Sequence, residues 1–431
     1  MGLCGFGASA QTLNTELASL LVNNPRLKSS EKSLLGAGEA VKKSYSGYLP
    51  TALLSGDTGY QWIDSPTRRG SPTFGSYSRG EQSSTVTVTQ NLFDGWKTTA
   101  NIDSAVATRD STAAQHESTV QSLLLEGINA YHDLLRQTRL NQLAMDNVET
   151  VQRQLELEDE RVQRGGGVAV DVLLAKTRLQ RAKERLVTFR NSLNDAKARY
   201  MQVFGREPDT DSLADPTPPM QHVPGTLEEV IKVAMDTNPS LQSSAKQIVA
   251  ADAKRRVSEA DFLPKVDLVG KFNYEKNLDA TIGVNREASI VLKSTWEIFS
   301  GFGTRSAVAE ATLQHAAAKD TALYTVRKVS EETRLAWNEL QSTRERVSLL
   351  DNAVAIASEM FRSRRELRDT GKATALEVLD AENEVYSARI DYTNASYDAR
   401  RAVYKILNSM GRLTPDNLGI NAGDFPARRI R

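Results

Sequence analysis

The chain has 431 residues, and its 54 Lys and Arg residues equal its 54 Asp and Glu residues in number. The resulting net charge of zero argues against a nucleic-acid-binding protein, which needs a basic surplus on at least one face. The single cysteine, Cys4, excludes an intramolecular disulfide and a cysteine-based zinc site. The mean hydropathy is −0.42 and the sequence has no apolar run long enough for a transmembrane helix, so hydropathy alone predicts a water-soluble protein.

The N-terminal segment, residues 1–10, is interpreted as the remnant of a signal peptide. It ends in Ala8-Ser9-Ala10, which has the A-x-A form of a signal-peptidase site. It lacks the basic segment and the longer apolar run of a full signal peptide. We therefore expect Cys4 to be an inert residue of that segment and not a lipid-anchor site.

Proline placement divides the remaining chain into two halves of similar size. Residues 73–207 and 265–414 contain no proline. Because proline costs about 3 kcal/mol inside a helix, runs of this length permit very long helices. A proline-rich linker, residues 211–225, separates the two halves.

The halves are copies of each other. Leu49-Pro50 recurs as Leu263-Pro264 at an offset of 214, and the segment 91–95 (NLFDG) recurs as 297–301 (EIFSG) at an offset of 206. Several anchors in one register make an internal duplication a strong signal. The offset changes by eight between Pro50 and Leu92, so the first copy holds an eight-residue insertion there. Since insertions are tolerated in exposed loops, residues 64–80 are predicted to form a loop.

Each copy predicts the order helix, strand, strand, long helix, long helix. The first structural repeat, residues 11–210, has strands at about 51–63 and 84–93 and long helices at about 97–164 and 169–206. The second structural repeat, residues 226–412, has strands at about 264–276 and 287–299 and long helices at about 303–369 and 374–410, and residues 413–431 form a C-terminal tail. At 1.5 Å per residue, the helix at 97–164 would be roughly 100 Å long.

The predicted strands alternate apolar and polar residues. In the third strand, Val266, Leu268 and Phe272 alternate with Asp267 and Lys271. A soluble sheet would expose the charged face to water, whereas a membrane barrel turns its apolar face to lipid and its polar face to a wet lumen. The aromatic residues near the strand ends would suit an interfacial girdle: Tyr60, Trp62, Tyr274 and Trp296.

The long helices carry heptad patterns typical of coiled coils. From Val172 the apolar residues follow strict steps of three and four through Ala175, Leu179 and Ala182, and the same steps start again at Val378. The preceding helices show shorter runs, such as Val148, Val151, Leu155 and Val347, Leu350, Val354, Ala357, Phe361. Four strands cannot close a barrel, because outer-membrane barrels have eight or more. Three chains would supply twelve strands and leave no open edge.

The motifs, in their duplicated order, resemble the TolC family of outer-membrane efflux and secretion channels. They are an Asn-Pro near each start, Leu-Pro before each strand pair, NLFDG or EIFSG after it, and the turns at Arg164–Ala175 and Thr370–Ala381. The resemblance covers about residues 12–412. It implies an α+β membrane protein, a trimer with a twelve-stranded β-barrel continued by a long periplasmic α-helical coiled-coil barrel. It also implies passive export of drugs or secreted proteins, without a cofactor.

The resemblance further implies which residues and partners act. Glu377, Asp380 and Asp171 would be pore-constriction carboxylates, the first two forming a candidate cation ring in the trimer. The turns would form the periplasmic tip that docks an adaptor protein, with these residues: Arg164, Gly165, Val172, Arg368, Gly371 and Val378. Ala373 stands where the family has a gate Arg, and Arg368 where it has a Tyr, so Arg368 or Arg164 would supply replacement bonds.

Three functions remain open on the sequence. The leading one is an outer-membrane channel that works with a periplasmic adaptor and an inner-membrane transporter of the ABC, RND or MFS type. The second is a periplasmic coiled-coil adaptor, which would carry one hairpin where this chain has two. The third is a soluble coiled-coil scaffold, which the alternating strands disfavour. The sequence shows no nucleophile elbow, P-loop or metal-binding cluster, so we expect no enzyme, and it does not identify the cargo.

Overall fold

The computed structural model of the chain describes residues 12–69, 76–166, 168–210, 212–279 and 281–420. The expected signal-peptide remnant with Cys4 lies outside these ranges, as do part of the expected loop at 64–80 and residues 421–431 of the tail. Within the described ranges, no helix combines the length and the apolar character that a membrane-spanning helix requires.

The helices and strands follow the same order in both repeats. The first repeat contains α1 (Leu13–Asn23), α2 (Pro25–Tyr45), β1 (Thr51–Ile63), α3 (Pro66–Arg69), β2 (Tyr77–Phe93), α4 (Lys97–Gln163) and α5 (Ala169–Phe204). The second contains α6 (Leu227–Thr237), α7 (Pro239–Glu259), β3 (Lys265–Lys276), β4 (Val284–Thr295), α8 (Gly303–Asp369) and α9 (Ala375–Ser409).

Two strands differ from the sequence expectation because their partners determine their length. β2 begins at Tyr77, inside the expected loop, since β1 continues to Ile63 and Ile63 pairs with Tyr77. The rest of that loop includes the short helix α3. β4 ends at Thr295, four residues before the expected end, because its partner Lys265 follows Pro264. Proline has no N–H to donate to the ladder, so the pairing stops there.

The chain folds as two compact units, and each unit draws on both repeats. Of the described residues, the first unit contains those in the ranges 12–32, 114–242 and 324–420, and the second contains those in 33–113 and 243–323. Each of the helices α4 and α8 is continuous for 67 residues and contributes to both units.

The second unit holds one antiparallel sheet with the strand order β1-β2-β3-β4. The register places Leu54, Val86, Phe272 and Ala288 in one row across the sheet, and all four side chains are exposed. The neighbouring row on the opposite face is polar, with Ser55, Thr85, Asn273 and Glu287. Thr85 donates a hydrogen bond to Asn273 at 3.1 Å, and Asn273 is buried. The sheet therefore exposes its apolar face, the reverse of a sheet that packs on a soluble core.

The first unit holds the main hydrophobic core. The long helices contribute its fully buried residues, among them Tyr131 of α4, Tyr200 of α5, Leu340 of α8 and Ile406 of α9. Leu17 of α1 is also fully buried there. This core joins the middle of α4 and α8 to the C-terminal ends of α5 and α9. The other ends of these helices form two helical hairpins, α4–α5 and α8–α9.

The repeated Asn-Pro motifs have repeated contacts. Asn24 ends α1 and donates its side-chain amide to the carbonyl of Val203 near the end of α5. Asn238 ends α6 and donates in the same way to Ser409 at the end of α9. The proline that follows each Asn begins the next helix, because its fixed φ suits the first helical position. Each motif thus anchors a short helix to the last turn of a long one.

Candidate functional site at the hairpin turns

The candidate site lies where each hairpin reverses, and both turns have the same backbone. Gly165 and Gly371 adopt positive φ angles of 79° and 76°. The N–H of Gly371 bonds to the carbonyl of Arg368, and the N–H of Lys372 bonds to that of Leu367. Equivalent bonds run from Gly165 and Gly166. This is the Schellman arrangement, which needs a left-handed residue after the helix and so favours glycine at that position.

Glu377 closes the N-terminus of α9. Its backbone N–H bonds to the Thr374 hydroxyl at 3.3 Å, and its Oε2 accepts from the Thr374 N–H at 2.8 Å, which completes a capping box. Arg364 of α8 donates to its other oxygen at 3.3 Å. The hydrogen bond from the Thr374 backbone, helped by the charge of Arg364, holds the pKa of Glu377 below its usual range. Glu377 is therefore an anion that stabilises the turn of its own hairpin.

Asp171 occupies the equivalent place in the first hairpin without the same bonds. It is the third residue of α5, as Glu377 is of α9. The residue before α5 is Val168, which has no side-chain oxygen to cap the helix. The first turn of α5 is therefore less tightly held than that of α9.

Asp380 links the two hairpins. Arg178 of α5 donates to its Oδ1 at 2.5 Å, while the Asp380 side chain remains 55% exposed. Farther along the same two helices, Arg185 of α5 donates to Asn383 of α9 at 3.3 Å. The first hairpin thus supplies the cations and the second the acceptors along this pair of helices.

A second link between the hairpins uses Glu158, a residue that the sequence analysis missed. The Nη2 atom of Arg368 donates to both carboxylate oxygens of Glu158, at 3.0 and 2.9 Å. Its Nη1 atom donates to the carbonyl of Ala373 at 3.3 Å. Glu158 is buried, and Arg161 lies 3.5 Å from it. Arg368 therefore ties its own turn to α4, whereas Arg164, just after α4, pairs with Glu160 of that helix at 3.3 Å.

The apolar residues at the turns fall into two groups. Val172 is buried in the contact between helices, and Val378 is partly buried. The exposed apolar side chains at the turns are Val168, Val170, Leu173 and Leu376. A surface that recognises a partner would use this second group, since buried Val172 is not accessible.

The carboxylates of one chain do not form a metal site by themselves. Among the residues that the structure describes, no group of three or more His, Cys, Asp or Glu side chains is close enough to hold a metal ion. Glu377 and Asp380 each contact an arginine.

Comparison with known proteins gives one consistent result. Residues 17–206 and 230–412 match the family described as outer membrane efflux protein. The outer membrane efflux protein BepC of Brucella suis is 25% identical over 98% of this chain and 90% of its own length. The outer membrane protein TolC of Salmonella enteritidis is 24% identical over 97% of this chain and 86% of its own length. The crystal structure of the outer membrane protein VceC of Vibrio cholerae superposes with a TM-score of 0.79 at 18% identity, over 93% of this chain and 96% of that one.

Proposed function

This chain belongs to the outer membrane efflux protein family and is an outer-membrane exit duct for efflux or type I secretion. From that premise, we propose how the chain assembles into a channel and how the channel closes. The observation that carries the proposal is the exposed apolar face of the sheet, where Leu54 is 73% exposed and Ile290 is 81% exposed. Such a face is stable against lipid and unstable against water. The adaptor alternative is not favoured, since the family match runs through both repeats.

We propose that three chains assemble into one channel. The sheet of one chain ends in the edge strands β1 and β4, whose outer hydrogen-bonding groups need partners in a membrane. Pairing β1 of one chain with β4 of the next gives an even-numbered, twelve-stranded barrel without free edges. The helical hairpins of the three chains would then form the wall of a periplasmic tube.

We propose that the links between hairpins hold the periplasmic end of this tube closed. Arg368–Glu158 and Arg178–Asp380 each join α4–α5 to α8–α9 near the turns. Opening the tube would separate the turns, so these bonds must break or exchange partners. The two ion pairs therefore stabilise the closed state. A partner that opens the tube must make contacts that stabilise the open state more.

The partner is proposed to be a periplasmic adaptor that connects the channel to an inner-membrane transporter. The exposed side chains of Val168, Val170 and Leu173 offer it an apolar surface beside the glycine turns. The cargo and the transporter class are set by that partner, since drug efflux and protein secretion use the same channel architecture.

The carboxylates Glu377 and Asp380 are proposed to line the constriction, with Asp171 beside them. Their side chains are 44% and 55% exposed, so each can meet an ion despite its arginine partner. Three chains would bring six carboxylates together, and rings of this kind select for cations.

The experiment is conductance of the detergent-purified protein in planar bilayers, with cross-linking to count the chains. We expect a trimer whose current is blocked by divalent or trivalent cations. The double variant Glu377→Ala/Asp380→Ala should weaken that block, whereas Glu384→Ala/Asp391→Ala, which removes the same charge farther along α9, should not. A protein that remains monomeric or does not conduct would contradict the channel assembly, and unchanged block in the first variant would contradict the ring.

A further inference from the structure

A polar cavity of about 120 Å³ lies between the helices α4, α5 and α9 of the first unit. Its wall combines Asn147 of α4, the three arginines Arg178, Arg181 and Arg185 of α5, and Glu382 and Asn383 of α9. This volume holds a few water molecules or one small polyatomic ion. All of these residues belong to a single chain, so the cavity does not depend on assembly.

The arginines of the wall outnumber the acids that neutralise them. Arg178 is paired with Asp380 at 2.5 Å, and Arg185 donates to the neutral Asn383. Arg181 has no ion-pair partner among the residues that the structure describes. Arg185 also lies over the ring of Tyr386, 5.9 Å from its centre. The cavity is therefore rich in fixed positive charge and in N–H donors.

Glu382 adds a buried carboxyl to this wall. It is only 8% exposed, and its Oε2 atom has no hydrogen-bond partner in the described part of the chain. Burial raises the pKa of its carboxyl to about 7, a shift that a hydrogen bond from Gln154 opposes. Near neutral pH a large fraction of this carboxyl is protonated and offers an O–H group. A buried polar atom without a partner costs free energy, so the site favours a ligand that supplies one.

One buried hydroxyl outside the cavity lining also lacks a partner among the described residues. Tyr386 follows Glu382 by one helical turn, is 6% exposed, and its hydroxyl has no partner in the described ranges. Three guanidinium groups and two side-chain amides line the cavity, so N–H donors outnumber acceptors in its wall. A metal cation is excluded by three neighbouring guanidinium charges.

We propose that this cavity is a binding site for a small multivalent oxyanion of the sulfate or phosphate class. The oxyanion would accept from Arg181 and Arg185, which form the planar donor groups that suit tetrahedral oxyanions. It would also accept from the Glu382 carboxyl. Because the site joins α4, α5 and α9, a bound anion stabilises the packing of one hairpin on the other.

The first test is titration of the detergent-purified full-length protein with sodium sulfate by isothermal calorimetry, at constant ionic strength set with sodium chloride. Arg181→Gln should weaken sulfate binding at least tenfold, since it removes one charge and three N–H donors from the wall. Arg190→Gln is the matched control, because it removes an exposed arginine of the same helix away from the cavity. Equal sulfate affinity in the two variants, or no saturable binding to the native protein, would mean that the cavity holds water only and would overturn the proposal.

The second test uses pH, and sulfate suits it because it does not titrate near neutrality. Raising the pH from about 6 to about 8.5 ionises Glu382 and places a negative charge beside the anion, so native binding should weaken severalfold. The other groups that face Glu382 are Gln154 of α4, the three arginines of α5, and Tyr386 of α9. Burial raises the pKa of Tyr386 further above its ordinary value, so its hydroxyl stays protonated in this interval.

Glu382→Gln keeps a neutral donor at the same place and should bind sulfate with little dependence on pH. A variant that retains the native pH dependence would show that Glu382 does not contact the anion. Both tests measure sulfate binding and not current. A negative result would therefore contradict the anion site without contradicting the channel assembly, and a protein that does not conduct would leave the anion site untouched.

Discussion

At the scale of single residues, a buried ion pair joins the two hairpins. Glu158 and Arg368 are 11% and 20% exposed at their side chains, and one guanidinium nitrogen contacts both carboxylate oxygens. Such a pair contributes little net stability over an apolar pair of the same shape. Removing Glu158 is costly, however, because it leaves Arg368 without its carboxylate partner. Removing Arg368 costs less, because Arg161 still lies 3.5 Å from Glu158. We therefore expect loss of this pair to favour separation of the hairpins.

We expect Glu158→Gln and Arg368→Gln each to increase the open fraction of the channel. Loss of one partner from a buried pair destabilises the closed arrangement by up to roughly 3–5 kcal/mol. The measurement is single-channel conductance in planar bilayers, with the trimer verified by cross-linking.

Arg153→Gln is the control for these variants. Arg153 pairs with Glu149 on the exposed face of the same helix α4, four residues apart, and this pair joins no second helix. Its loss should leave the current unchanged. Native conductance in both Glu158→Gln and Arg368→Gln would show that this pair does not restrain opening.

The heptad pattern of the sequence predicts that these two charged residues meet. The apolar steps of three and four through Val148, Val151 and Leu155 reach Glu158 next. The run from Val347 through Phe361 reaches Arg364 and then Arg368. Burying a charge at an apolar position of the heptad pattern is costly unless an opposite charge contacts it. The burial of Glu382 gives no such signal, because Glu382 lies beside the seam and is covered by helices of the other hairpin.

At the scale of secondary-structure elements, the helices were easier to predict than the strands. A helix is specified by local features, such as a proline-free run, a heptad pattern and a glycine turn. The end of a strand depends on a partner far away in the sequence, as Ile63 and Tyr77 show. The heptad pattern likewise predicts that helices pair, but not which arginine of α5 meets which acceptor of α9.

A charge on the apolar face of the sheet should block assembly in the membrane. We expect Ile290→Lys to reduce the yield of the trimer strongly, because a lysine on the lipid-facing side of a barrel costs about 2–4 kcal/mol at mid-membrane depth. Ser289→Lys places the same charge on the opposite, polar face of the same strand β4 and should assemble normally. The measurement is the heat-modifiable electrophoretic mobility of the protein extracted from membranes. Equal yields from the two variants would contradict the assignment of the faces.

At the scale of the whole molecule, the direction of the chain in the membrane is open to test. The connection between β1 and β2 holds the insertion of the first repeat, and we expect it to face the cell exterior, as the longer loops of outer-membrane barrels do. An epitope tag at Ser71 should therefore be labelled by antibody on intact cells. A tag inserted after Gly371, in a hairpin turn, should be labelled only after permeabilisation. The reverse pattern would contradict the proposed topology.

The pairing of β2 with β3 also has a consequence for the ancestry of this protein. That pair is the point at which the two repeats meet in the sheet, and it continues the same antiparallel ladder that joins the strands within each repeat. A polypeptide of one repeat would thus have had compatible edges on both sides, and six copies would have closed the same ring. In the proposed trimer, fusion of two such repeats would halve the number of subunits and allow the two copies to diverge. The uncapped start of α5 beside Val168 and the capped start of α9 at Thr374 are one trace of that divergence.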